Sequence, residues 1–192
     1  MRKKFALILI LMVAGLSAQK TPAFKAGEWL KFRIHYGFLN ASYATLHLKS
    51  EKLDSIPVYH VVGHGKTTGF ANIFFKVDDT YESYFDKKNG RPYKFIRKID
   101  EGGYTKDIEI SFDYEDEMAL LKDNKNDKEY NIPVNNQIQD LLSASYYLRN
   151  EYGEDDFNEG DVLAMDMLFD DDGVFKFKLK FLGTEILRTK FG

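Results

Sequence analysis

Strict two-residue alternation, repeated along most of the chain, constrains this sequence more than any other feature. In 29–36, Leu30, Phe32, Ile34 and Tyr36 fall on one face, and Trp29, Lys31, Arg33 and His35 on the other. In 42–49 the apolar set is Ala44, Leu46 and Leu48. Folding the two runs about Leu39 sets Phe32 opposite Leu46 and Ile34 opposite Ala44, so both apolar faces agree. Period two with a consistent register predicts a half-buried antiparallel hairpin. Residues 58–64 are rich in β-branched types and extend the pattern to a third strand.

The alternation resumes in 77–85, 93–99 and 104–114. Gly102-Gly103 marks a hairpin turn, and pairing about it puts Phe95 opposite Ile110 and Lys98 opposite Asp107. Residues 118–122 and 128–132 read as a short pair. In the last hairpin Leu163, Met165, Met167 and Phe169 face Phe175, Phe177, Leu179 and Phe181 across the Asp170-Asp171-Asp172-Gly173 turn. One segment breaks the pattern: Ile138, Leu141, Leu142, Ser145 and Leu148 recur at helical spacing, which predicts a helix over 135–150. The expected fold is therefore all-β with one helix. It is a curved antiparallel sheet or half-open β-barrel, with the 135–150 helix covering one side. Residues 184–192 read as a strand still in progress, so the chain is expected to lack its final strands.

The amino terminus has a different character. Arg2, Lys3 and Lys4 precede twelve apolar or small residues, Phe5 to Leu16, followed by Ser17, Ala18 and Gln19. This is the pattern of a secretory signal peptide, residues 1–18, leaving a single β-rich domain over 19–192. Twelve residues are too few to span a bilayer, which takes about twenty. Gln19 stands where a lipid-anchored protein needs cysteine. The expected location is thus exported, periplasmic or extracellular, without a lipid anchor or a membrane span. The chain has no cysteine, so an exported form must rely on its packed core. Loss of residues 1–18 removes three cations and no anions, leaving 24 Lys and Arg against 30 Asp and Glu. That acidic balance argues against nucleic acid, whose phosphates demand clustered cations.

Residues 61–69, V-V-G-H-G-K-T-T-G, contain the G-K-T of a phosphate loop. The full motif needs a glycine five positions before Gly65, where His60 stands, so no nucleotide is expected. The four histidines are His35, His47, His60 and His64. Pairs four residues apart along a strand lie roughly 13 Å apart, too far to share one ion, so no metal is expected. The acidic clusters miss calcium-loop spacing, and neither the nucleophile-elbow nor the helical zinc-hydrolase motif occurs. No catalytic residue and no cofactor is implied.

Charges on apolar faces are more informative. Asp79 shares a face with Val77, Tyr81 and Phe85, while Arg97 shares one with Tyr93, Phe95 and Ile99. A charge turned inward must be paired or line a wet cavity. Asp79 and Arg97 fall about one diagonal apart across a hairpin, roughly 7–8 Å between backbones. They form either a structural ion pair or, with Tyr81, Tyr93 and Phe95, the polar anchor of an aromatic ligand pocket.

Three stretches, G-E-W-L-K-F-R-I-H-Y-G at 27–37, G-K-T-T-G-F at 65–70 and V-D-D-T-Y-E-S-Y-F-D at 77–86, together with F-I-R-K-I-D-E-G-G-Y at 95–104, resemble an exported bacterial family called domain of unknown function 3108. The resemblance implies a signal peptide, an extended antiparallel sheet and further chain beyond residue 192; it brings no known activity and no catalytic residues. Three functional readings follow. The first is a non-enzymatic envelope protein holding a lipid or other amphipathic small molecule on a concave aromatic face. The second is an exported hydrolase or carbohydrate-active protein using inward carboxylates such as Asp79. The third is an assembly module that pairs through sheet edges.

Overall fold

The longest strands, β2 (Leu39–Leu53) and β3 (Ile56–Thr67), pair from Leu53↔Ile56 to Ser42↔Thr67 and set the frame of the molecule. Asp54 and Ser55 turn between them with φ of 46° and 75°, the left-handed pair that matches strand twist in a two-residue hairpin. The computed structural model describes residues 22–36, 39–69, 71–186 and 188; the expected signal peptide lies outside them. Around the central hairpin lie β1 (Trp29–Tyr36), β4 (Asp78–Asp86), β5 (Pro92–Glu101), β6 (Tyr104–Asp113), β7 (Met118–Asp123) and β8 (Lys128–Pro133). Every strand pairs with its neighbour in sequence, giving one antiparallel meander in the order β1 to β8. The sheet is curved but not closed, since β1 and β8 do not pair. Strands β9 (Val162–Met167) and β10 (Phe175–Lys180) form a separate two-stranded sheet.

The β5–β6 register has Phe95 opposite Ile110 and Lys98 opposite Asp107, as the Gly102-Gly103 turn predicts. Gly102 sits at φ 55°, and a Cβ there would fall 2.6 Å from the Phe75 ring. Glycine therefore meets both a backbone and a packing demand. The β9–β10 hairpin sets Leu163, Met165 and Met167 against Leu179, Phe177 and Phe175, again as expected. The β1–β2 register differs by two residues from the sequence reading: Phe32 pairs with Ala44, and Leu30 with Leu46. An irregularity between Ile34 and His35 near the tip displaces the centre of the turn. Because the slip is even, every side chain keeps its face.

The long helix spans Leu141–Glu151, beginning six residues later than the periodicity predicts and ending one residue later. Its start is fixed by a cap. Asp140 Oδ1 accepts from Leu142 N at 2.8 Å and Ser143 N at 2.7 Å, while Ser143 Oγ accepts from Asp140 N at 2.9 Å. These reciprocal bonds make a capping box and leave residues 135–139 outside the helix. Within that segment Ile138 enters the core, and Gln139 makes a parallel bridge to Met167. Ser83 on β4 donates to Asp140 Oδ2 at 2.5 Å, tying the helix start to the sheet. Burial pushes the Asp140 carboxyl up to about 6, against the hydrogen bonds that favour its charge.

Helix and sheet enclose one core. From the sheet come Leu48, Val61, Phe85, Phe95, Ile108, Ile110 and Leu121; Leu142 and Tyr146 meet them from the helix. Each such side chain contributes about 1.5–3 kcal/mol when fully buried. Between β3 and β4 the chain makes a four-residue helix, Ala71–Phe74, which leaves Ile73 and Phe74 largely exposed. The strand expected over 184–192 is not seen: residues 181–186 adopt no regular structure, and 187 and 189–192 lie outside the described residues.

Candidate functional site

The strand registers divide the helix-covered face into rows that run across the sheet. One row carries Leu30, Leu46, Gly63, Tyr81 and Arg97. The helix sits on this row: a Cβ at Gly63 would lie 3.1 Å from Leu46 Cδ2 and 3.7 Å from Leu142 Cδ2. The next row carries Phe32, Ala44, Gly65 and Asp79, and beyond it Ile34 pairs with Ser42. At Gly65 a Cβ would meet nothing within 4 Å. Phe32 and Ile34 remain 48% and 50% exposed although they point to the apolar face. Beyond the helix, then, lies an open shelf with a floor of small residues and an apolar flank.

The shelf ends in a polar cluster. Asp79 is buried, and its Oδ1 accepts from Asp100 N at 3.1 Å. The Asp79 carboxyl beside Glu101 raises the Glu101 carboxyl above its ordinary value, with burial adding to the rise. One row further in, Arg97 donates to Asp170, in the β9–β10 turn, and Lys106 donates to Asp170 and Asp171. Burial opposes the Asp170 charge. Hydrogen bonds from Asp171 and Lys106 and the Arg97 charge nevertheless hold its carboxyl well below the usual range. Burial pushes the Tyr81 hydroxyl up, opposed by the Arg97 charge beside it.

The five residues singled out by sequence are not brought together as a set. Asp79, Tyr81 and Arg97 converge at the inner end of the shelf. Phe95 is sealed in the core, with its ring 6.5 Å from that of Tyr81. Tyr93 lies at the opposite end of β5, where its hydroxyl bonds Asp86 at 3.2 Å and its ring meets Tyr114 edge-on. Arg97 takes Asp170 as its partner, across 73 residues of chain, and not Asp79. Asp170 and Lys106 escaped sequence reasoning; the Asp-rich turn was visible, but its role as a counter-ion was not. Four cavities among the described residues lie elsewhere, and Asp79, Tyr81, Phe95 and Arg97 line none of these four.

The other sequence features resolve simply. The G-K-T stretch lies inside β3, where Gly65 pairs with Ala44 and Lys66 with Tyr43. On the face away from the helix His60 is buried between two carboxylates, Nδ1 at 3.1 Å from Glu51 and Nε2 at 2.7 Å from Glu82, and stacks on Tyr84 at 3.9 Å. His64 Nε2 meets Asp78 at 2.8 Å. Among the described residues no three His, Asp or Glu side chains form a group that could hold a metal.

With the meander, its lid and the polar cluster established, the comparison with known families is decisive: the family described as "Protein of unknown function (DUF3108)" matches residues 31–192. The chain belongs to this family. The match spans all ten strands but for the first two residues of β1, so the open shelf and its polar end both lie within the family's extent. No curated protein and no solved structure matches the chain.

Proposed function

We propose that this family member is an exported cell-envelope protein that holds an amphipathic small molecule on the open shelf, without chemistry. The observation that carries this reading is the Phe32–Ala44–Gly65–Asp79 row: an apolar flank and a bare floor lead to the buried Asp79 carboxyl, with the partly exposed Glu101 beside it. An apolar tail lying along Phe32 and Ile34 removes their exposed surface from water. A hydrogen-bonding head reaches Asp79 and Glu101. The basic and apolar opening of the sequence supports export. The Asp79–Glu101 contact argues against the hydrolytic alternative. Carboxyls in glycoside hydrolysis stand roughly 5–9 Å apart to admit a sugar bond, whereas these two lie side by side, close enough to shift Glu101.

Native mass spectrometry of the protein recovered from envelope extracts is the test. A bound amphiphile is expected, and the pair Phe32→Thr and Ile34→Thr should release it. Finding only the unliganded mass, under conditions that preserve known lipid carriers, overturns the proposal.

A further inference from the structure

A second concavity, of about 560 Å³, shares no residue with the shelf. Its walls come from the β4–β5 turn, the segment 135–139, the long helix and its exit, and the β9–β10 hairpin. Five amide side chains line it: Asn89, Asn135, Asn136, Gln137 and Gln139. Two rings face it as well, Tyr147 and Tyr152, packed edge-on with centroids 6.5 Å apart. Arg91, Lys176 and Lys178 bring three cations against the single carboxylate of Asp166, on a protein whose net charge is −3.

Gln139 separates this cleft from an ordinary polar surface. Its backbone is held at both ends, with N donating to Asp166 O at 3.0 Å and O accepting from Leu168 N at 2.9 Å. The residue is only 2% exposed, yet its Oε1 has no hydrogen-bond partner among the described residues. Buried acceptors are nearly always paired, so an unpaired one directly behind the cleft wall marks where a small rotation of the amide meets a ligand donor. Around it the structure has already aligned other amides. Asn135 Nδ2 donates to Asp166 at 2.7 Å while its Oδ1 accepts from Gln137 N at 2.8 Å, and Asn89 Oδ1 accepts from Arg91 N at 2.9 Å.

We infer that this cleft binds a saccharide chain carrying acidic groups. Hydroxyls both donate and accept, and amides are the side chains that answer both roles at once. Tyrosine rings offer flat apolar faces for the C–H surfaces of a pyranose, with a polar edge for its hydroxyls. The volume suits a few sugar units, being within the usual range of roughly 300–1,000 Å³ for ligand sites. The excess of cations selects carboxylated or phosphorylated sugars over neutral ones. This site is separate from the amphiphile shelf and stands or falls without it.

Titration calorimetry on the full chain tests the inference. The acidic probes are a hyaluronan hexasaccharide, an oligogalacturonate and soluble glycan strands bearing muramic acid; cellohexaose and polyglutamate are the controls. At least one acidic saccharide should bind, with both controls at least about tenfold weaker, a difference of about 1.4 kcal/mol. Lys176→Gln with Lys178→Gln should weaken binding about tenfold, and so should Gln139→Leu, which removes the waiting acceptor. Asn136→Ala, on an exposed side chain, supplies a second amide variant if the Gln139 substitution fails to fold. No binding by any of the three acidic saccharides overturns the inference. So does equal affinity for cellohexaose or polyglutamate, or unchanged affinity in the folded variants.

Discussion

The row Ser83–Phe95–Ile110–Leu121 and the row Phe32–Ala44–Gly65–Asp79 cross the same face of the same sheet, yet only the first is sealed. All four residues of the first row are fully buried beneath the long helix and the segment leading to it. In the second, Phe32 is half exposed, and only the charged end, Asp79, is buried. Alternation assigns a side chain to a face; whether that face becomes core depends on what lies above it. Here one helix of eleven residues serves as the lid, and at about 1.5 Å per residue it spans roughly 16 Å. Eight strands set about 4.8 Å apart are roughly twice as wide as that helix is long, and the Phe32 end of the face is left open.

If that contrast is real, Phe95→Ala should produce the largest loss. It removes a ring with no exposure from the centre of the sealed row and should cost about 3–5 kcal/mol, read by denaturant unfolding. A loss below about 1 kcal/mol would show that the lid is loose and that the two rows differ little.

A smaller effect follows from how the lid is attached. Asp140 caps the helix and accepts from Ser83, and its folded-state value of about 6 stands above the ordinary 3.8. The folded protein therefore binds this proton more tightly than the unfolded chain does. The stabilisation from protonation is complete below about pH 4 and is lost as pH rises through about 6. Its full span is on the order of 2–3 kcal/mol, since each unit corresponds to about 1.4 kcal/mol. Asp140→Asn keeps an acceptor for the cap and removes the titration, so its unfolding free energy should lose this slope between pH 4 and 6. An unchanged slope in the variant would assign the pH dependence to other groups.

Much of the sheet was legible because its signals are local. Gly102-Gly103 fixes the centre of the β5–β6 turn, and the Phe95–Ile110 register follows by counting. At β1–β2 counting failed by two residues, because an irregularity beside the tip leaves no mark on alternation. The helix start was misplaced since periodicity reports apolar positions, whereas the Asp140 cap, the actual boundary, needs only one polar side chain. At the candidate site Asp79 and Arg97 were recognisable as inward charges, but their partners were not. The Arg97–Asp170 contact depends on where a separate hairpin docks, and nothing within either segment encodes that distance. Gln139 was invisible for a similar reason: its unpaired oxygen is defined by tertiary neighbours, not by spacing.

The open row supplies the smallest stability effect and the sharpest separation between folding and binding. Phe32→Thr and Ile34→Thr keep β-branched or otherwise strand-favouring residues in β1, so pairing with Ala44 and Ser42 should persist. Both side chains are about half exposed and lie outside the core cluster. Each replacement should shift the unfolding free energy by no more than about 0.5 kcal/mol, the range of substitutions that disturb no core, cap or buried pair. Equal losses at Phe32 and Phe95 would mean that the shelf is covered in solution and that the two rows do not differ. A negligible loss at Phe32, together with release of a bound amphiphile, would instead mean that the row is kept apolar for a ligand and not for the fold.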